Sequence, residues 1–374
     1  MTTQLFVPKF RIEETLEGIR ECLEKGWTGL GFKTLEIESA WQKYTGHENA
    51  HFISSNTVGL HLAVEMLKRK YDWTEGDEII STPLTFVSTN HAILYSGLKP
   101  VFADVDQSLC LDPLSVASRI TDKTKAVIYV GMGGNSGQYQ QMLELCRNHG
   151  LRLILDAAHM SGTRVNGAHV GLDADVAVYS FQAVKNMPTA DSGMICFKDK
   201  DDDERARRLT WLGINKDTYA RTAAQGAYKW MYDVEELGYK YHGNSIMAAM
   251  ALVSLKYLDR DNAYRRTVAN WYRERFDREG IRYVPVSPGC ESSTHLFQVR
   301  VSNRDAVMLA LNEHQVYPGV HYRDNTEYRM YAYARGTCPQ AALASSEIIS
   351  LPLHMDLTRA DIQHVADLVV RYAR

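Results

Sequence analysis

No Cys-x-x-Cys pair and no matched Cys/His spacing occurs in the 374 residues. The six cysteines, Cys22, Cys110, Cys146, Cys196, Cys290 and Cys338, are scattered, which argues against a zinc site and a disulfide framework and predicts reduced thiols. No metal site is expected. No run of about 18 apolar residues exists, so no helix is expected to span a membrane. The opening MTTQLFVPKFRIEETLEG lacks a basic-then-apolar signal pattern, and the expected address is cytoplasmic. No Lys/Arg block stands out, and the net charge is −3 with a pI near 6.5. The concentrated basic footprint that nucleic acid requires is missing. Internal repeats and low-complexity segments are absent as well. With 45% apolar and 23% charged residues, the chain can build an ordinary packed core. Its length suggests about two domains.

Apolar periodicity supplies the rest of the frame. Residues 57–70 read as a helix with Leu60, Val64 and Leu67 on one face. Short runs around 79–82, 99–105, 124–130, 151–156, 174–181 and 193–197 read as strands, separated by helical stretches at 86–96 and 137–149. These strands are continuously apolar rather than alternating, as in a sheet covered by helices on both faces. The β-α-β-α order predicts an α/β, doubly wound architecture. After about residue 200 the pattern changes. Two helices, at 245–258 and 261–279, are followed by HLFQVRV (295–301), a helix near 304–313, VYPGVHY (316–322) and a last helix near 358–372. The expected division is a large domain over 1–250 and a small α+β domain over 251–374, with the N-terminal helix packing on the second.

In an open α/β sheet, ligands bind beyond the carboxyl ends of the strands. Asp156, Ser180 and, five residues later, Lys185 fall there, and Phe86 follows the strand at 79–82. Asp156 alone could cap a turn, and most lysines are solvated. Lys185, however, is flanked by Val184 and Met187 rather than by charges. A desolvated lysine becomes a nucleophilic amine. A lysine to hold an aldehyde as a Schiff base, with a carboxylate to keep a pyridine nitrogen protonated, is the minimum that pyridoxal 5'-phosphate (PLP) needs. SSNTVG (54–59) leads into the first helix, where Ser55, Asn56 and Thr57 offer free N–H groups to a phosphate. Taken alone that segment is an ordinary N-cap; beside the lysine and aspartate it reads as a phosphate cradle. A rival is GMGGNSG (131–137), which is one glycine short of a dinucleotide fingerprint, with Asp156 as its acid. That reading gives a nicotinamide oxidoreductase.

Together these blocks resemble the DegT/DnrJ/StrS-type sugar aminotransferases, a branch of the fold type I PLP enzymes. The resemblance runs nearly end to end: GWTGLGFKTLEIESAWQKYTG (26–46), SSNTVGLHLAV (54–64), TFVSTNHAILYSGLKPVFADVD (85–106), LILDAAHMSG (153–162), YSFQAVKNMPTADSGMICF (179–197), ELGYKYHGNSIMAAMALVSLKYLD (236–259) and ISLPLH (349–354). It implies a large domain with a mixed, mostly parallel sheet covered by helices, and a smaller α+β C-terminal domain. It implies that Lys185 bears the cofactor and shuttles the proton, that Asp156 pairs with the ring nitrogen, and that His159 lies near the ring hydroxyl. Phe86 would stack on the ring, and Asn56, Thr57 and Ser180 would hold the phosphate. His321 and Tyr322 would face substrate. Two departures stand out. Relatives usually read GYNYRM where this chain has GYKYHG, so Lys240 replaces an asparagine expected to reach the partner's cofactor phosphate in a homodimer; Asp191 replaces a glutamate. The retained Lys185 separates the chain from a dehydratase branch with histidine there. The implied reaction is ping-pong transfer of an amino group from glutamate, with glutamine as the competing donor, to a nucleotide-linked 4-keto-6-deoxy or 3-keto sugar, in glycan or antibiotic-sugar synthesis. A PLP sugar dehydratase and a non-catalytic member of the fold are the alternatives within the same architecture.

Overall fold

A computed structural model of the chain describes residues 2–215 and 232–373. Its main sheet contains β1 (Asn49–Ile53), β2 (Glu78–Ser81), β3 (Lys99–Phe102), β4 (Thr124–Val130), β5 (Arg152–Asp156), β6 (Val176–Ser180) and β7 (Gly193–Phe197). The spatial order is β1-β7-β6-β5-β4-β2-β3, and only β7 runs against its neighbours. The sheet is therefore mixed and mostly parallel, and the architecture is α/β. The principal helices are α1 (Ile12–Glu24), α2 (Phe32–Thr45), α3 (Asn56–Lys70), α4 (Val87–Tyr95), α5 (Tyr139–Asn148), α6 (Lys200–Thr210), α7 (Ser245–Glu279), α8 (Arg304–Glu313) and α9 (Arg359–Tyr372).

Strand alternation explains why both faces had to be apolar. Phe52, Ile80, Val127, Leu155 and Ala177 point into one core with Trp41 of α2 and Met142 of α5. Their neighbours Ile53, Ile79, Ile128, Ile154 and Val178 point into a second core with Leu60 and Val64 of α3 and Leu209 of α6. Successive residues on a strand face opposite sides, so a sheet sandwiched by helices admits no polar alternation. A third core gathers Val268, Tyr272 and Phe276 of α7 with Leu311 of α8, Val365 of α9 and the antiparallel pair β8 (Phe297–Arg300) and β9 (Ile348–Leu351).

One expectation is corrected. The helices read at 245–258 and 261–279 are the single 35-residue α7, about 53 Å long at 1.5 Å per residue. No glycine or proline interrupts it between the Asn244 cap, whose side chain accepts from the Met247 N–H, and Gly280, which ends it in the left-handed region at φ 67°. The stretch 259–262 between the two expected helices is polar. Those side chains are spent on tertiary contacts: Arg11 donates to Asp261 at 2.7 Å, and Asn262 donates to the Ser161 carbonyl at 2.9 Å. Residue 250 lies in the opening turns of α7, which is shared by the first and third cores. The N-terminal helix α1 packs on the first half of α7, with Gly18 against Ala249. The extended Thr3–Gln4 reaches further and pairs in parallel with Val316–Tyr317. Among the described residues, no helix is long and apolar enough to cross a membrane, and no group of three or more His, Cys, Asp or Glu side chains could hold a metal ion.

Candidate active site

The carboxyl ends of β1, β2, β5 and β6 open on a cavity of about 370 Å³. Ser55, Asn56, Thr57, Phe86, Asp156, His159, Ser180, Lys185, His321 and Tyr322 all line it, so ten of the eleven site residues expected from the sequence meet in one place. The eleventh, Lys240, does not: its ammonium sits 3.2 Å from the centroid of the Trp211 ring, outside this cavity. Asp191 stands at the lining as well, where burial raises its carboxyl pKa.

Asp156 closes β5 and is buried. Its Oδ2 accepts from the Thr89 hydroxyl at 2.7 Å, and its Oδ1 accepts from the Ala158 N–H at 3.2 Å and the Asn56 amide at 3.4 Å. Burial pushes its pKa up against the pull of those donors and of Lys185. Lys185 lies in the turn after β6, where its N–H bonds the Gln182 carbonyl at 2.8 Å. Desolvation brings its ammonium down to about 8, opposed by Asp156. Among the described residues, no hydrogen-bond acceptor meets its Nζ.

The start of α3 faces the same space. Ser55 caps the helix by accepting from the Val58 N–H at 3.4 Å, and the N–H groups of Asn56 and Thr57 precede any intrahelical acceptor. The Asn56 side chain is turned to Asp156 and to the Val178 carbonyl (3.0 Å), so it is the backbone of this residue that faces an anion. Gly193 permits the approach of β7: a Cβ there would stand 3.1 Å from the Asn56 nitrogen and 2.5 Å from the Tyr179 oxygen. Phe86 caps α4 with its ring 58% exposed and tilted against Tyr322.

The opposite wall joins His159, His321 and Tyr322, expected from the sequence, to Phe6 and His295, which were not. His159 Nδ1 accepts the Gly133 N–H at 3.2 Å, and its Nε2 lies 3.0 Å from the Tyr322 hydroxyl. Burial holds this imidazole neutral. A neutral ring with Nδ1 accepting carries its proton on Nε2, so Tyr322 accepts from His159 and presents its own proton to the cavity. His295 stacks between Phe6 and His159, and Asn186 fixes its orientation. The Asn186 amide donates to Asn262 at 2.8 Å and to the Ser293 carbonyl at 2.7 Å, which leaves its oxygen to accept from His295 Nδ1 at 2.9 Å. His321 bonds Ser350 at 2.9 Å, and burial lowers its pKa to about 4. Phe6, Thr85, Thr89 and His295 are additions that no motif signalled.

The glycine loop at 131–137 has a different use from the nucleotide reading. Its Gly133 carbonyl accepts from the N–H groups of His295 and Leu296, and a Cβ at Gly134 would meet the Ser293 hydroxyl at 2.2 Å. The loop's glycines serve close packing, Gly131 against Met160 and Gly137 against Tyr129 and Cys110. For PLP the fit is good: a desolvated amine with no acid bonded to it among the described residues, a carboxylate at the floor, helix N–H groups placed for a phosphate and an open aromatic face.

The family model described as the DegT/DnrJ/EryC1/StrS aminotransferase family matches residues 10–370. Among solved structures, the aminotransferase TlmJ from Streptoalloteichus hindustanus superposes with a TM-score of 0.90 at 32% identity, covering 99% of this chain and 98% of that one. Helicobacter pylori PseC, an aminotransferase involved in the biosynthesis of pseudoaminic acid, gives 0.90 at 25% identity, with 100% and 99% covered. The sugar aminotransferase Spr1654 from Streptococcus pneumoniae, described as putative and solved in its PMP-form, gives 0.89 at 25% identity, with 98% of each chain covered.

Proposed function

Since the chain belongs to the DegT/DnrJ/EryC1/StrS aminotransferase family and is a PLP-dependent sugar aminotransferase, we propose that it moves an amino group from glutamate to a nucleotide-linked keto sugar, of the 4-keto-6-deoxy or 3-keto kind, in two half-reactions. The observation that carries this reading is Lys185: a desolvated amine with a pKa of about 8, with no acceptor among the described residues, sharing a cavity with Asp156.

PLP supplies, when bound, an electrophilic aldehyde and a conjugated electron sink. The chain supplies position and protons. Lys185 is the nucleophile that holds the aldehyde carbon. Its amine, when free, would be the base that carries a proton between the two carbons flanking the transferred nitrogen. Asp156 balances the positive charge on the ring nitrogen. The Asn56 and Thr57 N–H groups and the Ser55 and Ser180 hydroxyls hold the phosphate, aided by the dipole of α3. Phe86 covers one ring face, and His159 holds the Tyr322 hydroxyl beside the ring. Tyr322 and His321 face the sugar.

We further read the protein as a cytoplasmic homodimer in which Lys240 serves the neighbouring subunit's cofactor phosphate. A lysine there acts as a point charge. Glycan synthesis is the expected setting, and the division into a PLP-binding domain over 1–250 and a smaller domain over 251–374 is kept as part of this reading.

The test is the visible spectrum of the PLP-supplied protein beside Lys185→Ala, before and after glutamate. The expected result is a wild-type band above 400 nm, on the order of what protonated Schiff bases of PLP give, that glutamate bleaches, and no such band in the variant. A wild type without the band overturns the lysine assignment. Bleaching by glutamine and not by glutamate changes the donor, and loss of a sugar oxygen without retained amine makes the protein a dehydratase.

A further inference from the structure

Thr89 is a helical threonine with a hydroxyl that its own helix does not use. The ordinary resting place for such a hydroxyl is the carbonyl four residues back. Here that carbonyl, on Thr85, accepts the Asn325 amide at 2.7 Å. The Thr89 Oγ1 instead lies 2.7 Å from Asp156 Oδ2 and 3.0 Å from the Thr85 Oγ1. All three side chains are buried: Thr85 is 2%, Thr89 1% and Asp156 4% exposed. A hydroxyl has one proton, and the carboxylate is the stronger acceptor, so Thr89 donates to Asp156 and Thr85 donates to Thr89. The order is thus set from the cavity wall inward.

We propose that Thr89 is a positioning residue for the cofactor, its hydroxyl holding Asp156 Oδ2 ionised and aimed so that the pyridine nitrogen keeps its proton, with Thr85 orienting that hydroxyl from behind. The inference rests on the PLP reading of the site and adds to it the group that governs the carboxylate. Asp156 is taken out of water, which favours its protonated form; each donor to it reverses part of that bias. Its Oδ1 has two donors, Ala158 and Asn56, at 3.2 and 3.4 Å, whereas Oδ2 has Thr89 alone at the shorter distance. The titratable groups that face Asp156 are Lys185 and Tyr322. Neither is a hydrogen-bond partner of Oδ2. Without the Thr89 donor, the carboxyl competes for the ring-nitrogen proton. Loss of that positive charge makes the linkage nitrogen on Lys185, conjugated to the same ring, easier to protonate.

The experiment is an absorbance-monitored pH titration of the PLP-loaded wild type, Thr89→Val, Thr89→Ser and Thr85→Val, with the PLP dissociation constant of each. Thr89→Val keeps the volume and removes the donor; its titration midpoint is expected to rise by about one pH unit, the size of one charge-assisted hydrogen bond, and its PLP dissociation constant by roughly tenfold. Thr89→Ser restores the donor and is expected to titrate with the wild type. Thr85→Val is expected to move the midpoint the same way by a smaller amount. A Thr89→Val midpoint coincident with wild type, or a Thr89→Ser midpoint displaced as far as that of Val, overturns the proposal. If Thr89→Val does not fold, an unmoved Thr85→Val does the same. A wild type that forms no visible band with PLP is a different failure, that of the proposed function itself.

Discussion

Lys185 sits where burial and the lack of an acceptor act together. Its lowered pKa has a kinetic consequence that can be read before any sugar is known. The neutral amine is the form that attacks an aldehyde, so the rate at which cofactor-free protein takes up PLP is expected to rise with pH and level off above about 8, rather than climb towards the 10.5 of an ordinary lysine. Stopped-flow absorbance against pH measures it, and a profile still rising at pH 10 contradicts the assignment. At the floor, Asp156→Ala removes the counter-charge and is expected to weaken PLP binding at least about tenfold, one pKa unit's worth of interaction, as read by equilibrium titration. Both residues were legible in the sequence as a pair: Asp156 alone could cap a turn and Lys185 alone could be solvated, but a lysine without charged neighbours and a carboxylate past neighbouring strand ends point to one chemistry. Thr89 was not, since a threonine in a helix looks like any other until its neighbours are known. Phe6 was invisible for a related reason: its place depends on Thr3–Gln4 pairing with Val316–Tyr317, from the other end of the chain.

At the scale of elements, α7 and the glycine loop tie the cavity to the rest of the fold. Asn262 is buried on α7, accepting from Asn186, the residue after Lys185, and donating to the Ser161 carbonyl. Asn262→Leu leaves a buried donor and a buried acceptor unpaired and is expected to cost about 2–3 kcal/mol, measured by urea unfolding of the cofactor-free protein. Gly134 stands at φ 91° with the Ser293 hydroxyl where a Cβ would go. Gly134→Ala is expected to destabilise by more than about 1 kcal/mol and to disturb the Gly133 N–H bond to His159. The strands of the main sheet were legible to within a few residues, because burial on both faces demands an unbroken apolar run. The unity of α7 was not: Asp261 and Asn262 are polar in sequence and buried in space, and only the tertiary partners Arg11, Asn186 and Ser161 reconcile the two. The strand Asn49–Ile53, which holds a histidine among its apolar residues, and the helix Lys200–Thr210, which is mostly charged, were not marked.

Across the whole molecule, histidines kept neutral contribute to the response to acid. His47 and His169 are buried beside Tyr179, with pKa values lowered by desolvation to about 4 and about 3. In the unfolded chain both titrate near 6.5, so below that pH the unfolded state takes up protons that the folded state refuses. Stability from these groups is complete above about 6.5 and is lost as the pH falls towards 4, by about 1.4 kcal/mol for each pH unit and each group. Chemical denaturation at pH 7, 5.5 and 4.5 checks it; His47→Gln is expected to flatten the slope.

The cavity also has two landlords. Lys185, Asp156, Ser180 and the start of α3 stand on the main sheet, while Phe6 comes from the segment before α1 and His295, His321 and Tyr322 come from segments after α7. The two are joined by the His159–Tyr322 and Asn186–His295 bonds. Under the proposed function, a lineage that alters the segments around 295, 321–322 or Phe6 while keeping those bonds re-tailors the acceptor it receives, and diversification of products needs no reinvention of the chemistry.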